Sequence, residues 1–249
     1  MKRFHINKIA ISITNIDNVL YSIDKTIQQN EYGYICVTNS RTAHLSNFDS
    51  EYCQIQNNSF LSVPDGMPLV WIARNKGFKD VRRVSGKDLM DAFFNISVDK
   101  HYSHYFFGST PETIFQLSSK LKQEYPGIDI KGAVSPPFQP ITDFDIDGLA
   151  SVINELKPTF FWCGLGAPKQ EHLCALLQPK LESTICIGVG LAFEYIAGTV
   201  IRAPLWMQKA GLEWLYRLMQ QPKNIRRAII PLSWIFIKLI GSFFYNEKQ

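Results

Sequence analysis

Short apolar runs bounded by Gly, Pro and Asn recur along this chain, and most are followed by ten to sixteen residues with the apolar spacing of a helix. This alternation predicts βαβ units, in which parallel strands form a sheet that helices cover on both faces. We therefore predict an α/β fold. The predicted strands are Tyr34–Val37, Phe60–Val63, Tyr105–Phe107, Ile128–Ile130, Thr159–Cys163 and Ile185–Val189.

Three predicted helices have recognisable first residues. Ser85 precedes one helical stretch as a side-chain cap, and Thr110 precedes another with Pro111 at the first helical position. The pair Thr142-Asp143 precedes a helical pattern at Ile146–Leu156. These starts place the helices directly after predicted strands or loops, as a parallel sheet requires.

Ligands of such sheets bind beyond the carboxyl ends of the strands, so the residues after each strand carry the candidate chemistry. After the first of these strands, Thr38 and Asn39 offer side chains that can hydrogen-bond a sugar or cap a helix. After the second, Asp65 stands between Pro64 and Gly66, where it could act as a general base or hold a sugar hydroxyl. An ordinary turn, with Asp65 as a cap and Gly66 at positive φ, is the alternative.

A third junction combines glycines with a helix start. Gly164 and Gly166 follow a strand, and Pro168 and Lys169 begin a helix whose exposed backbone N–H groups would form an anion site. A nucleotide diphosphate is a natural occupant. The third glycine of a dinucleotide fingerprint is missing and the motif lies late in the chain, which disfavours NAD binding.

A fourth junction, at Gly188 and Gly190, suggests a cleft shared with the third, although these glycines could equally serve only to relieve crowding. Arg202 follows and could neutralise a leaving diphosphate. By contrast, the acidic segment at 143–148 imitates a metal-binding DxD motif or a calcium loop, but the twelfth loop position is Asn154 rather than Glu. We interpret this segment as the acidic first turn of a helix. The five histidines show no metal-ligand spacing, so no metal is expected.

Composition narrows the class of protein. With 249 residues, 46% of them hydrophobic, the chain can bury a sizeable core, and its formal charge of +4 is too mild to indicate a nucleic-acid partner. The five cysteines form no CxxC pair and are expected in the core of a protein in a reducing compartment. The N-terminus shows no signal-peptide pattern. We therefore expect a cytoplasmic protein.

The C-terminal segment combines basic and apolar residues. From Arg226 an apolar stretch of about seventeen residues contains Pro231 and Lys238, which is too short and interrupted for a spanning helix. A helix lying on the inner face of the plasma membrane fits better, with Trp234 near the interface. Packing into the core or an oligomer interface is the alternative. The expected division is a body at 1–204 and a helical, membrane-associating appendage at 205–249.

Taken in order, the motifs of this chain resemble those of the WecG/TagA/CpsF family of glycosyltransferases over about residues 35–228. Each motif is weak alone, but the ordered set is specific. The motifs are Thr38-x-Ser40, Pro64-Asp65-Gly66, Arg83-x-x-Gly86-Lys87-Asp88-Leu89, Phe106-Phe107-Gly108, Tyr125-Pro126, Gly164-Leu165-Gly166-x-Pro168-Lys169-Gln170-Glu171, Gly188-Val189-Gly190, and Arg202-Ala203-Pro204 through Glu213-Trp214-Leu215-Tyr216-Arg217.

The resemblance implies a Rossmann-like body and an inverting, metal-independent transferase that needs no cofactor. Its substrates would be a UDP-sugar, with N-acetylmannosamine favoured, and a sugar linked to undecaprenyl diphosphate, in the synthesis of capsule, exopolysaccharide, teichoic acid or common antigen. Asp65 would be the base that deprotonates the acceptor, and Thr38 its partner in the catalytic pocket. The implied donor-binding residues are Asn39, Gly164, Gly166, Lys169, Gln170, Glu171, Gly188, Gly190 and Arg202. The implied acceptor-binding or diphosphate-binding residues are Arg83, Arg217, Arg226 and Arg227.

Two positions depart from the family pattern: Arg41 stands where an acid is usual, and Glu194 where Asp is common. These departures bear on the donor sugar more than on the reaction. Two other functions stay open, a non-catalytic nucleotide-sugar-binding scaffold in a polysaccharide assembly complex and an NAD-dependent oxidoreductase. A homo-oligomer is compatible with the sequence.

Overall fold

The computed structural model describes residues 1–220 and 225–244, with the side chains of 226, 227 and 244 left out. Within these residues there are eight strands and twelve α-helices. The strands are β1 (Arg3–Ile6), β2 (Ile9–Ser12), β3 (Tyr34–Thr38), β4 (Leu61–Pro64), β5 (Ser103–Gly108), β6 (Asp129–Val134), β7 (Phe160–Gly164) and β8 (Ile185–Gly188). The helices are α1 (Ile16–Gln28), α2 (Ser40–Phe48), α3 (Ser50–Asn58), α4 (Met67–Asn75), α5 (Gly86–Lys100), α6 (Pro111–Glu124), α7 (Ile146–Leu156), α8 (Lys169–Leu177), α9 (Ala192–Ala197), α10 (Leu205–Lys209), α11 (Glu213–Gln220) and α12 (Ile225–Phe244).

Strands β3 to β8 form one parallel sheet in the order β4-β3-β8-β7-β5-β6. Every residue of β3, β4, β5 and β8 is buried, as expected for strands covered by helices on both faces. The six predicted strands and the α/β class are confirmed. The predicted caps Ser85 and Thr110 accept hydrogen bonds from the first turns of α5 and α6. Asp145 caps α7, which confirms that the acidic segment is a helix start.

The hairpin of β1 and β2 was not predicted. Its two antiparallel strands are four residues long, too short for their alternation to stand out from a loop. The Arg3 guanidinium ties the hairpin to the end of α3 by donating to the carbonyl oxygens of Asn57, at 2.7 Å, and Phe60, at 3.2 Å. The hairpin thereby covers the β4 side of the sheet next to the first two candidate junctions.

Two hydrophobic clusters fill the two faces of the sheet. Helices α1, α5, α6 and α9 cover one face, where Phe93, Phe160 and Trp162 are fully buried. Helices α7 and α8 cover the other, around Phe161 and Leu173. The five cysteines lie buried as free thiols, in agreement with the expected core role. Burial on both faces leaves the carboxyl edge of the sheet as the place where polar groups gather.

A third cluster joins the hairpin, α4 and the C-terminal helix α12. Ile235 is fully buried in it, and α12 packs on α2 and α4. The opposite side of α12 is apolar and exposed: Ile225, Ile229, Ile230, Phe236, Ile237, Ile240 and Phe243. Thus one face packs on the body while an apolar face stays uncovered. Along the ranges that the structure describes, no helix is both long and apolar enough to cross a membrane.

Candidate active site

The ends of β3 and β4 lie side by side and bring the first two junctions together. Thr38 pairs in register with Pro64, and the backbone N–H of Asp65 donates to the Thr38 carbonyl oxygen at 2.7 Å. The Thr38 side chain is fully buried and hydrogen-bonds Gln56 at 2.9 Å and Ser62 at 2.7 Å. Thr38 therefore supports the turn that carries Asp65 from below, rather than opening into the cleft.

Asn39 caps α2, which is one of the two roles that the sequence predicts for it. Its side-chain oxygen accepts from the backbone N–H groups of Arg41, at 3.0 Å, and Thr42, at 3.2 Å. The Thr42 hydroxyl completes the capping box by accepting from the Asn39 N–H at 2.8 Å. The cap fixes the side chain at the mouth of the sheet edge.

Asp65 sits in a partly open, charged environment. Gly66, at a φ of 146°, turns the chain directly after it into α4, a backbone shape that only glycine adopts without strain. The Asp65 side chain is 24% exposed, and Arg83 lies 3.4 Å from its carboxylate. Burial raises the pKa of Asp65 above its ordinary value and Glu213 adds to the rise, while Arg83 and Arg217 oppose it. A carboxyl with a raised pKa is suited to accept a proton.

Three arginines and three carboxylates form a charged cluster around Asp65. Arg83 bridges Asp65 and Glu213, and Arg202 binds Asp88 at 2.6 Å. Arg217 donates to the Tyr195 hydroxyl at 2.9 Å and lies 3.9 Å from Glu213. Three of the arginines predicted to meet diphosphates, Arg83, Arg202 and Arg217, are thus ion-paired with Asp65, Asp88 and Glu213. An incoming diphosphate would compete with these carboxylates for the same guanidinium groups.

Gln170, at the start of α8, links the two glycine-rich junctions. Its Oε1 accepts from the backbone N–H groups of Gly166, at 3.1 Å, and Gly190, at 2.9 Å. Both glycines have positive φ, 78° and 59°. A Cβ on Gly188 would meet the Gln170 side chain at 3.0 Å, so glycine there makes room for it. The side chain of Gln170 therefore braces both the loop after β7 and the loop after β8.

The other residues of the third junction occupy different environments. Lys169 is half-buried, and its Nζ donates to the Gln139 carbonyl oxygen at 2.8 Å and lies 4.3 Å from the centre of the Phe138 ring. Glu171 is buried instead and accepts from Gln170 at 2.8 Å. A Cβ on Gly164 would clash with the Phe193 ring at 2.6 Å. No side-chain cap precedes α8, although the backbone N–H of Gln170 already donates to the Gly166 carbonyl oxygen at 3.1 Å.

The side chains of Arg226 and Arg227 lie outside the described residues, so their predicted role stays a prediction.

The sequence analysis missed several residues of the site. Glu213 and Tyr195 enter the charged cluster from α11 and α9, although only Glu213 belongs to a motif and neither was assigned a role. Tyr52 and Gln56 of α3 contact the site from beneath. No motif marks these two, because their positions follow from how α3 packs on the sheet.

Comparison with known proteins identifies the relatives of this chain. The sequence model described as "Glycosyl transferase WecG/TagA/CpsF family" matches residues 4–249. A Bacillus subtilis (strain 168) protein named N-acetylglucosaminyldiphosphoundecaprenol N-acetyl-beta-D-mannosaminyltransferase is 26% identical over 90% of this chain and 86% of its own length. A protein of the same name from Staphylococcus aureus (strain MW2) is 27% identical over 78% of this chain and 74% of its own length.

The match covers all six strands of the parallel sheet, both glycine-rich junctions, the Asp65 turn and the C-terminal helices, so it is not confined to one motif. Its extent confirms the resemblance that the ordered motifs indicated. This chain belongs to the WecG/TagA/CpsF family of glycosyltransferases.

Proposed function

We propose that this glycosyltransferase moves a hexose derivative, with N-acetylmannosamine favoured, from a UDP-sugar to a sugar linked to a polyprenyl diphosphate. The reaction serves the synthesis of a cell-surface polysaccharide and inverts the anomeric configuration. The names of the two curated relatives support the acceptor class and the transferred sugar. The observation that carries the proposal is Asp65, a partly open carboxyl with a raised pKa beside Arg83, at the edge of the sheet.

In the proposed reaction Asp65 takes the proton of the acceptor hydroxyl. The hydroxyl oxygen attacks the anomeric carbon from the side opposite the leaving group, the bond from that carbon to the diphosphate oxygen breaks, and UDP departs. The chain supplies positive charge for the departing diphosphate through Arg202, Lys169 and the amides at the start of α8. No cofactor takes part in these steps.

The loops braced by Gln170 form the donor side of the cleft. Backbone N–H groups in these glycine-rich loops can approach phosphate oxygens closely, because no Cβ stands in the way. Arg83 and Arg217 stand on the acceptor side in this proposal, and the Arg217 side chain is 44% exposed. When the acceptor diphosphate arrives, it exchanges with Glu213 as the partner of these guanidinium groups.

The acceptor lipid lies in a membrane, and in this proposal α12 provides the protein surface that contacts that membrane. The apolar face of α12 is exposed, and Leu205 and Trp206 of α10 are also exposed, at 70% and 65%. Lys238 lies over the Trp234 ring, 5.8 Å from its centre, which places a cation beside an aromatic group suited to a bilayer interface. The protein works at the inner face of the plasma membrane in this proposal.

UDP release from a panel of UDP-sugars tests the proposal, with and without a synthetic N-acetylglucosamine acceptor linked to a lipid diphosphate. Acceptor-dependent release with one donor is expected. Donor binding without release would favour a scaffold of an assembly complex instead. A competition experiment between UDP and NAD tests the oxidoreductase alternative. An NAD-dependent oxidoreductase requires that NAD displace bound UDP.

A further inference from the structure

A line of polar side chains runs beneath the proposed site and leads from the donor loops towards Asp65. It begins at the loops after β7 and β8, where Gln170 Oε1 accepts from Gly166 and Gly190. The Gln170 Nε2 donates in turn to Glu171 Oε1 at 2.8 Å. The amide of Gln170 thus uses its oxygen for the loops and its nitrogen for the carboxylate.

The same line continues from Glu171 to the turn of Asp65. The Tyr52 hydroxyl lies beside the Glu171 carboxylate and accepts from Gln56 Nε2 at 2.9 Å. The Gln56 Oε1 accepts from the Thr38 hydroxyl at 2.9 Å. The Thr38 carbonyl oxygen then accepts from the backbone N–H of Asp65. Helices α3 and α8 therefore join the donor loops to the proposed base.

The direction of these bonds depends on Glu171. An ionised carboxylate only accepts hydrogen bonds, so it selects the NH₂ side of the Gln170 amide and leaves the oxygen for the two loop N–H groups. A reversed amide would place its NH₂ group against two backbone donors. The charge on Glu171 therefore fixes which face of Gln170 the loops meet.

Burying the Glu171 carboxylate costs free energy, which a purely structural role does not explain. Glu171 is 1% exposed, and its Oε2 has no hydrogen-bond partner among the residues that the structure describes. Its surroundings are the thiols of Cys36 on β3 and Cys163 on β7, Tyr52 on α3 and Arg41 on α2. Burial raises its pKa to about 6, although Gln170, Tyr52 and Arg41 all favour the charged form.

We infer that Glu171 is a positioning residue of the donor site, which orients the Gln170 amide and through it the two glycine-rich loops, with Tyr52 as its buried support. The inference rests on the proposed function, since it concerns binding of the UDP-sugar. Glu171 touches neither substrate nor reacting atoms in this role. Its effect reaches the donor only through Gln170.

The affinity of the full-length protein for UDP-N-acetylmannosamine, measured by calorimetry from pH 8 to pH 5 without acceptor, tests this inference. This donor has no ionisable group that titrates near pH 6, so the protein determines the pH dependence. Wild-type affinity is expected to fall by about tenfold with a midpoint near the pKa of Glu171. The isosteric Glu171→Gln variant is expected to bind about five- to tenfold more weakly at pH 7.5 and to lose this pH dependence.

A double-mutant cycle separates positioning from general damage. Gln170→Ala is expected to weaken donor binding, and adding Glu171→Gln is expected to cause no further loss, because Glu171 acts through Gln170. Additive losses would overturn the inference. Tyr52→Phe is expected to shift the midpoint of the pH dependence upward, since the removed hydroxyl favours the charged carboxylate. An unchanged midpoint would contradict the role of Tyr52.

The result separates two failures. If the wild type binds no UDP-sugar, the proposed function is wrong and the inference falls with it. If the wild type binds the donor and Glu171→Gln keeps both its affinity and its pH dependence, the inference alone is wrong. Thermal unfolding of each variant confirms that the comparison is between folded proteins.

Discussion

Asp65 combines a raised pKa with partial exposure and a neighbouring guanidinium group, three properties that suit a base acting on a sugar hydroxyl. Asp65→Asn keeps the shape of the side chain and removes its basicity. We expect turnover to fall by about two to four orders of magnitude, the usual loss for a general base, with the thermal unfolding midpoint preserved. Steady-state UDP release checks this. Turnover within about twofold of wild type would exclude Asp65 as the base.

The charges beside Asp65 predict opposite pH shifts in two variants. Asp65 must be ionised to accept a proton, so activity rises with pH through its raised pKa. Glu213→Gln removes a negative charge that raises this pKa and should move the acid limb of kcat to lower pH. Arg83→Gln removes the positive charge that lowers it and should move the limb to higher pH. Shifts in the same direction would contradict the electrostatic assignment.

The sequence predicted the residues that lie inside motifs but not their partners. Asp65 and Gln170 were found because each follows a strand end in a recognisable pattern. The pairing of Arg202 with Asp88, 114 positions earlier, was not predicted, nor was the contact of Thr38 with Gln56. These contacts depend on how helices pack on the sheet, which no local pattern encodes. Hence Arg83, Arg202 and Arg217 were expected to be available to phosphate, whereas the structure pairs them with acids.

At the scale of elements, His104 joins β5 to its neighbours. Its Nδ1 accepts from the Trp162 indole N–H at 3.0 Å, and its Nε2 hydrogen-bonds Ser97 of α5 at 2.9 Å. Burial lowers the pKa of His104 to about 3, although Asp129 opposes this. The unfolded chain thus binds a proton at pH values where the folded protein does not. Stability from this residue is present above pH 6.5 and is lost as the pH falls towards 3.

This linkage predicts an acid-sensitive contribution of His104 to folding. The residue should make the protein about 2 kcal/mol less stable at pH 5 than at pH 7. His104→Phe should remove that part of the pH dependence while lowering stability at pH 7, because the Trp162 N–H loses its acceptor. Urea unfolding at both pH values measures the effect, with His5→Gln as the exposed control. An unchanged pH dependence in His104→Phe would contradict this assignment.

Helix α12 offers two isoleucines with opposite environments. Ile235 is fully buried against α2 and α4, whereas Ile237 is 65% exposed. Ile235→Ala should destabilise the protein by about 2–5 kcal/mol. Ile237→Ser should leave stability nearly unchanged and weaken sedimentation with vesicles of phosphatidylglycerol. If Ile237→Ser binds these vesicles as wild type does, the exposed face of α12 is not the membrane contact.

The six strands of the parallel sheet and several helix starts were predictable because their signals are local. Apolar runs and caps at Ser85 and Thr110 specify elements one at a time. The strand order β4-β3-β8-β7-β5-β6 joins segments far apart in the chain, and periodicity carries no information about it. The packing of α12 could not be predicted either, since a stretch that is apolar on most sides fits both a membrane surface and a protein core.

At the scale of the whole molecule, the site draws on both predicted segments. Asp65, Arg83 and Arg202 come from the body at 1–204, while Glu213 and Arg217 come from the region at 205–249. The C-terminal helices thus contribute charge to the cleft and an exposed apolar face in the same stretch of chain. This arrangement suits an enzyme whose acceptor is anchored in a membrane while its donor is dissolved.

Mass spectrometry of the lipid product most directly tests the proposed transfer of a sugar from the UDP-sugar to the lipid-linked acceptor. The wild type and Asp65→Asn are incubated with UDP-N-acetylmannosamine and a lipid-diphosphate-linked N-acetylglucosamine in anionic vesicles. We expect the wild type to add one N-acetylhexosamine to the lipid for each UDP released, and Asp65→Asn to add almost none. A wild-type protein that binds UDP-sugars but adds no sugar to this lipid with any donor of the panel would contradict the proposed transfer.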